Sequence, residues 1–513
     1  MLQRILRPTE CVKRGLAVAL IAGLFGTAGA TAQEAVPDSA FMSQFRWRSV
    51  GPANMSGRVT DVEGIPGTPV FYVAAAGGGI WKSTNAGTTF RPLFQNERVV
   101  SMGDLAIAMA DTSIVWAGTG EEDSRNSISP GGGIYKSSDG GLTWTLMGLE
   151  ETEVIARIVI HPENPDLVYV AALGHIWDSN EERGLYRTSD GGETWERIHF
   201  ISDKAGFVDL VMHPNDPNIL FASSWERVRG PYFLQSGGPG SALWKSTDGG
   251  DTWTEVTGGG FPETEKGRIG IAIAHSNPDV MYTIVEAETP EDEEGDADQE
   301  EDEDDETDYQ DGQRGSGLYR SEDGGRTWMW MNGQNTRPFY YSQVRVDPSD
   351  PDHVVWSSTP VRFSKDGGLT VGQTTQGVHV DHHALWWDIS NPEHYIVGND
   401  GGIAITWDRG GNWDFPNTFA LGQFYAISYN NDVPYRVCGG LQDNGTWCGP
   451  SRRRSGSITN HMWYTVNGGD GFWAPQDLQN PDALWAESQG GNMARINVAN
   501  GSRQGLQKPT WQS

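Results

Sequence analysis

The densest run of chemistry-bearing side chains is His379-Val380-Asp381-His382-His383, within GVHVDHHALWWD. Strand alternation puts His379, Asp381 and His383 on one side. Three such groups are a donor set for zinc or another metal. They are equally polar groups able to hydrogen-bond where a strand begins. No fourth ligand is identifiable, so no cofactor is implied, and His379, Asp381 and His382 are read as binding residues. Further candidates sit in three other stretches: His175 and Trp177 in GHIWDSNEER, Trp225, Arg227 and Tyr232 in SWERVRGPYFLQSGGPG, and Arg337 and Tyr340 in NTRPFYY. A fourth, GTGEEDSRNSISPGGG, carries Glu121, Glu122 and Asp123. Aromatics mixed with Arg and carboxylates suit a carbohydrate or peptide ligand; packing within their own long loops is the competing reading.

What positions these residues is a repeat. Ser246 to Trp253 reads STDGGDTW, and SSDGGLTW (137–144), TSDGGETW (188–195) and SEDGGRTW (321–328) say nearly the same. STNAGTTF (83–90), SKDGGLT (364–370) and TWDRGGNW (406–413) are looser copies. A motif recurring every roughly 40 to 75 residues is a repeat signature that outranks any local assignment. Asp accepts bonds from turn N–H groups, Gly supplies positive φ, and Thr and Trp begin a strand. The spaced oxygen ligands of an EF-hand loop are absent, so the motif reads as turn chemistry rather than a calcium site.

Each copy sits in one template: an apolar strand, a Pro-Asn/Asp turn, a second strand, a loop, a third strand, the motif and a fourth strand. Ile155 to Trp195 shows it most clearly. Seven four-stranded units with short, even turns predict an all-β propeller over 45–421, with Phe45 to Val50 as its closing outer strand. Antiparallel parity then sorts the connections. The repeated motifs and the HPENPD-type turns share one face. The irregular stretches named above share the other, where sites on rigid scaffolds usually lie.

From 422 the pattern changes. FYAISYN, RVCGGL, TWCGP, NGGDGFW and ALWAES read as strands without a full motif, the expected start of a second propeller (422–513) within which the sequence stops. A single ring of about ten units is the alternative to two propellers. Cys438 and Cys448 flank a hairpin turn in CGGLQDNGTWC, and a disulfide between them is expected in an oxidising compartment.

Composition bounds the rest. The chain of 513 residues carries a net charge of −31, which argues against a nucleic-acid partner. Gly 66 and Trp 21 suit a turn-rich β protein with aromatic packing. Residues 1–32 read as a signal peptide: a basic start, an apolar run from Leu16 to Phe25 too short for a stable membrane span, and Ala30-Thr31-Ala32 as cleavage site. Secreted, periplasmic or cell-surface placement follows. The acidic run 286–311 holds more than half of the net charge and is expected to be a disordered insertion.

The repeated motif resembles the Asp-box, or BNR repeat, of sialidase-like propellers, where it is a structural turn away from the active site. The chain as a whole resembles secreted bacterial BNR-repeat or sortilin-like proteins, distant relatives of two-propeller xyloglucanases. That resemblance implies a polysaccharide as ligand and two Asp residues, one per propeller, acting as acid and base with inversion. The first-propeller segment of the family matches Ala74 to Ile80, which has no carboxylate. Asp400, in NDGGI, has the right shape in another unit, and Asp470, in GDGF, resembles the second Asp; these two are the catalytic candidates. The expectation is an exported, carbohydrate-active protein, glycoside hydrolase-like. The alternatives are a non-catalytic sortilin-like module for a peptide or protein ligand, and a propeller assembly factor.

Overall fold

A computed structural model of the chain describes residues 56–124, 128–288, 315–416, 418, 420–454, 456–506 and 508, with 39–42, 44, 45, 48 and 50 before them. Residues 1–49 form one compact unit and 50–513 another. In the first, the described structure is a four-residue helix, Ser39–Met42. The signal at 1–32 lies outside the described residues, as do positions 46, 47 and 49 of the expected closing strand.

The second unit is built from nine antiparallel sheets among the described residues, spanning 59–92, 102–146, 155–199, 205–255, 266–332, 344–373, 382–406, 424–467 and 483–505. They are called sheets 1 to 9 below. Within each, the strands are neighbours in chain order, and sheet 4 carries an additional strand, Leu234–Ser236, on its second strand. Sheet 7 has three strands, with an isolated bridge between Ile405 and Asp414 in the place of a fourth.

Apolar clusters join each of the first seven sheets to the next. Tyr72, Ala74 and Ile80 of sheet 1 pack on Leu105, Ile107 and Val115 of sheet 2. The same stacking joins sheets 2 and 3, 3 and 4, 4 and 5, 5 and 6, and 6 and 7. Val59, Val62 and Phe71 of sheet 1 then pack on Ala384, Ile396 and Ile403 of sheet 7. The seven sheets therefore close into a ring, a β-propeller with the first strand of each sheet innermost. Carboxylates tie inner strands to one another. Asp61 accepts the Leu105 N–H (3.0 Å), Asp104 that of Ile158 (2.7 Å) and Asp209 that of Ile271 (2.9 Å).

The repeated motifs are turns between third and fourth strands. In sheet 4, Ser246 Oγ donates to Asp248 Oδ1 (2.8 Å) and accepts the Gly250 N–H (2.9 Å). Asp248 accepts the N–H and the hydroxyl of Thr252 (2.9 and 2.6 Å), and Gly249 and Gly250 have φ 72 and 88°. Four of the motifs are also clasps between sheets. Lys82 donates to the Gly140 carbonyl (3.1 Å), Lys136 to Gly191 (3.0 Å), Arg187 to Gly249 (3.0 Å) and Lys245 to Gly324 (2.8 Å). A cation on one sheet thus holds the motif of the next.

Two expectations need correction. The acidic insertion does not begin at 286: the strand Met281–Ala287 includes Glu286, whose carboxylate accepts from Ser236 Oγ (2.6 Å) and the Arg268 N–H (2.8 Å). The rest of that run, from 289, lies outside the described residues. Residues 468–473 are not a strand but the link from sheet 8 to sheet 9. Gly469 there has φ 75°, and the segment is held by single backbone bonds, Gly471 N–H to the Leu441 carbonyl (2.8 Å) and Phe472 N–H to the Glu487 carbonyl (3.1 Å).

Sheets 8 and 9 pack through Cys438, Cys448, Leu484, Ala486 and Ile496. Cys438 and Cys448 are direct cross-strand partners joined by a disulfide. No helix among the described residues is long and apolar enough to cross a membrane.

Candidate active site

The loop after the second strand of sheet 2 runs into the ring's mouth on the face away from the motifs. Its residues Glu121, Glu122, Asp123 and Ser124 are all buried. Glu121 pairs with Arg58, where the chain enters sheet 1. The Glu122 carbonyl accepts from Arg227 of sheet 4 (2.8 Å). Asp123 accepts from Arg268 of sheet 5 (2.8 Å) and lies 3.4 Å from His383 Nδ1 of sheet 7. One loop from sheet 2 therefore touches basic side chains from four other sheets at the mouth.

Asp400 belongs to this buried network. It follows the second strand of sheet 7, Tyr395–Asn399. Its carboxylate accepts from Arg58 Nε (2.8 Å), Tyr340 Oη (2.8 Å) and His383 Nε2 (2.9 Å). Burial alone would lower the Arg58 pKa, but Asp400, Tyr340 and Glu121 outweigh it and hold the guanidinium well above its ordinary value. Burial also opposes charge on His383, yet Asp123 and Asp400 outweigh it and raise its pKa, which favours a protonated imidazole between the two carboxylates. His382, beside it, is buried away from any carboxylate contact. Desolvation, with His383 and His379 near, lowers its pKa to about 3 and keeps it neutral.

Three carboxylates around this network are half-buried rather than enclosed: Asp381, Asp443 and Asp470. Asp381 precedes the first strand of sheet 7 at φ 62° and accepts the Tyr341 hydroxyl. Burial and that carboxylate push the Tyr341 pKa up, so the phenol stays protonated and donating. Asp443, in the turn between the second and third strands of sheet 8, lies 3.8 Å from Arg58 Nη2. Its own N–H is held by Asp470, whose other oxygen accepts from Gln489 (3.1 Å). Asn444 donates to the Asp400 carbonyl (2.9 Å), so one turn of sheet 8 touches both the ring and Asp470. His379 Nε2 lies 3.3 Å from the Asp443 carbonyl, and a Cβ on Gly401 would sit 2.4 Å from the His379 ring.

Asp381, Asp400 and Asp443 each place an oxygen within 4.8 Å of the others, the spacing of a cation site. Asp400, however, is already saturated by Arg58, Tyr340 and His383. Its donor set matches an ion-pair network better than a metal centre. The His379–Asp381–His383 triad read from strand alternation does not form as a ligand set either. The left-handed Asp381 and a register shift between His382 and Ala384 break the alternation, and each of the three takes a different partner.

Of the other expected binding residues, Trp225, Arg227, Tyr340 and His382 are fully buried and offer no side chain to solvent. Trp225 donates to Ser236 Oγ (3.1 Å) and lies under the Arg227 and Arg268 guanidinium groups. His175 is half-buried and bonded to Asp178 Oδ1 (2.7 Å). Arg337 is half-buried over the Tyr340 ring. Trp177 and Tyr232 are exposed on the loops of sheets 3 and 4. Arg58, His383 and Asp443 form the junction of the site, and sequence reasoning left them out of the binding set. For Asp443 a signal existed: LQDNG is a second-to-third connection, which parity assigns to the irregular face.

Comparison with known proteins agrees with this architecture. The family model described as Sortilin-Vps10 (sortilin, neurotensin receptor 3) matches residues 132–261. A xyloglucanase from a Paenibacillus species is 27% identical over 234 residues, 40% of this chain and 19% of that enzyme. A probable oligoxyloglucan-reducing end-specific xyloglucanase from Neosartorya fischeri is 23% identical over 387 residues, 65% of this chain and 41% of that enzyme. The matched parts thus span well under half the length of these relatives. Among solved structures, an ancestral GH74 enzyme superposes with a TM-score of 0.57 at 14% identity, covering 90% of this chain and 63% of that one. The chain shares the propeller fold of that enzyme and is similar in sequence to xyloglucanases.

Proposed function

We propose that the chain is an exported glycoside hydrolase-like propeller protein acting on an extracellular polysaccharide, with residues 422–513 forming the start of a second propeller. The observation that carries this reading is the convergence of half-buried Asp443 and Asp470 at the junction between the ring and sheets 8 and 9. Hydrolysis of a glycosidic bond needs two carboxylates that reach substrate, one to protonate the leaving oxygen and one to activate water. Asp443 and Asp470 are half-buried and joined through the Asp443 N–H, whereas Asp400 is enclosed. Asp470 therefore stays a catalytic candidate. Asp400 becomes a positioning residue whose carbonyl fixes the turn bearing Asp443. The similarity to xyloglucanases supports a neutral β-glucan such as xyloglucan as substrate.

The test is reducing-sugar release from a panel of soluble polysaccharides including xyloglucan, with wild type beside Asp470→Asn and Asp443→Asn. Wild-type activity should fall by about 10²-fold or more in each variant, the scale of a lost general acid or base. No release from any member of the panel would sink the hydrolase reading. The peptide-binding alternative would then stand, supported by the sortilin match over 132–261.

A further inference from the structure

On the same face as the carboxylates, but across the ring from them, stands a second feature. Sheet 7 lies opposite the junction of sheets 3 and 4 in a ring of seven. There the second strand of sheet 4, Leu220–Arg229, overruns the blade and pairs with Leu234–Ser236 to make a projecting hairpin. Its tip is Gly230-Pro231-Tyr232-Phe233. Tyr232 is 99% exposed and Phe233 56%. The loop of sheet 3 beside it presents Trp177, 50% exposed, and is stitched to the hairpin by the Arg229 N–H to the Ile176 carbonyl (2.7 Å).

The platform is rigid. Trp225 is buried under the hairpin base and bonded to Ser236, which in turn donates to Glu286. The Phe233 ring packs back over Gly230, where a Cβ would lie 2.1 Å from it. A protein does not hold three large rings in water, two on a braced hairpin and one on the adjoining loop, without a cost in solvation, and neighbouring exposed aromatics mark a binding surface. The chain's net charge of −31 disfavours a polyanion as the partner. Flat aromatic faces in an acidic protein fit the CH-rich faces of neutral sugar rings.

We infer that Trp177, Tyr232 and Phe233 form a remote anchoring subsite for a neutral polysaccharide chain, separate from the carboxylates at the ring junction. This rests on the polysaccharide reading above and sharpens it. A ligand that occupies both places must cross the face of the ring, so the protein takes a long polymer in preference to a short oligosaccharide.

The test uses the full chain with Trp177→Ala, Tyr232→Ala and Phe233→Ala combined, and Tyr232→Ala alone as the variant whose position cannot disturb folding. Retardation in native gels containing soluble xyloglucan gives the polymer affinity, and titration with a xyloglucan heptasaccharide gives that of a short ligand. The triple variant should lose about tenfold or more in polymer affinity, with Tyr232→Ala intermediate and heptasaccharide affinity changed by less than about twofold. Equal retardation of wild type and triple variant overturns the anchor, as does a wild type that the polymer does not retard. The two readings fail separately. Hydrolysis by a wild type whose retardation the triple variant shares removes only the anchor. Retardation lost in the triple variant, without hydrolysis by wild type, keeps the anchor and removes the hydrolase.

Discussion

Asp400→Asn separates a buried structural carboxylate from a catalytic one. The substitution keeps the side chain's shape and removes its charge. Arg58, Tyr340 and His383 each donate to that carboxylate at 2.8 to 2.9 Å, and all four groups are buried. Asn offers one acceptor oxygen where two served before, and its amide presents donors to donors. Arg58 retains Glu121, and His383 retains Asp123 at 3.4 Å, so neither side chain is left without a carboxylate neighbour. Three charge-assisted bonds at about 1.5–3 kcal/mol each set an upper bound, but bonds sharing one acceptor do not add. Removing one partner of a buried ion pair costs about 3–5 kcal/mol, and that is the expected loss. Urea unfolding followed by Trp fluorescence measures it. Asp470→Asn in parallel should cost under about 1 kcal/mol, because that carboxylate is half-exposed and its pairing is screened. A cycle with Arg58→Met should give a coupling of about 0.5–3 kcal/mol between the two positions. If Asp400→Asn unfolded within about 0.5 kcal/mol of wild type yet lost all hydrolysis, the structural assignment would be wrong and Asp400 would be part of the chemistry.

Two further outcomes test the repeated turn. Ser246→Ala strips two backbone N–H groups of their acceptor, the buried Gly250 N–H (2.9 Å) and the N–H of the exposed Asp248 (3.4 Å), an expected cost of about 1–3 kcal/mol in thermal unfolding. Ser246→Thr should be close to neutral, since Thr188 does the same work in sheet 3. The motif carboxylates Asp139, Asp190, Asp248 and Asp366 are held down to about 2 by bonds from the Thr four residues on. Their folded pKa lies below the unfolded value of about 3.9, so their contribution is full above that value and is lost as pH falls through about 2. The Tm should therefore drop as pH is lowered from 4 toward 2; a Tm flat over that interval would refute the turn assignment.

The ring was legible because its determinants are local. Ser-x-Asp-Gly-Gly encodes a turn within eight residues, and an apolar strand beside it encodes a blade, so the pattern needs no knowledge of distant contacts. The face bearing the site was legible for the same reason, since strand parity follows from counting. The partners of the site residues were not. Arg58 reaches Asp400 across 342 positions in sequence, and Asp123 reaches Arg268 across 145. SGRVTD has no composition that sets its Arg apart from any surface Arg. Trp225 and Arg227 looked like ligand contacts because aromatic–Arg pairs serve both binding and packing, and only burial distinguishes the two. The HVDHH run misled through regularity: alternation assumes an unbroken strand, and a left-handed Asp381 followed by a register shift breaks it.

The location of the half-buried carboxylates follows from what a ring can and cannot enclose. Inside the mouth, loops from several sheets converge, and Glu121, Asp123 and Asp400 each find a basic side chain within bonding distance. Such groups are fixed in position but have no access to solvent. On the open rim a carboxylate has access but little to fix it. Chemistry by paired carboxylates needs both, and the junction of the ring with sheet 8 supplies both. The turn bearing Asp443 and Asn444 is pinned on one side by the Asp400 carbonyl and on the other by Asp470. The buried network is thus the support for the exposed carboxylates. A variant that loosens Arg58 should displace Asp443 and Asp470 together, even though Arg58 makes its shortest contacts with neither.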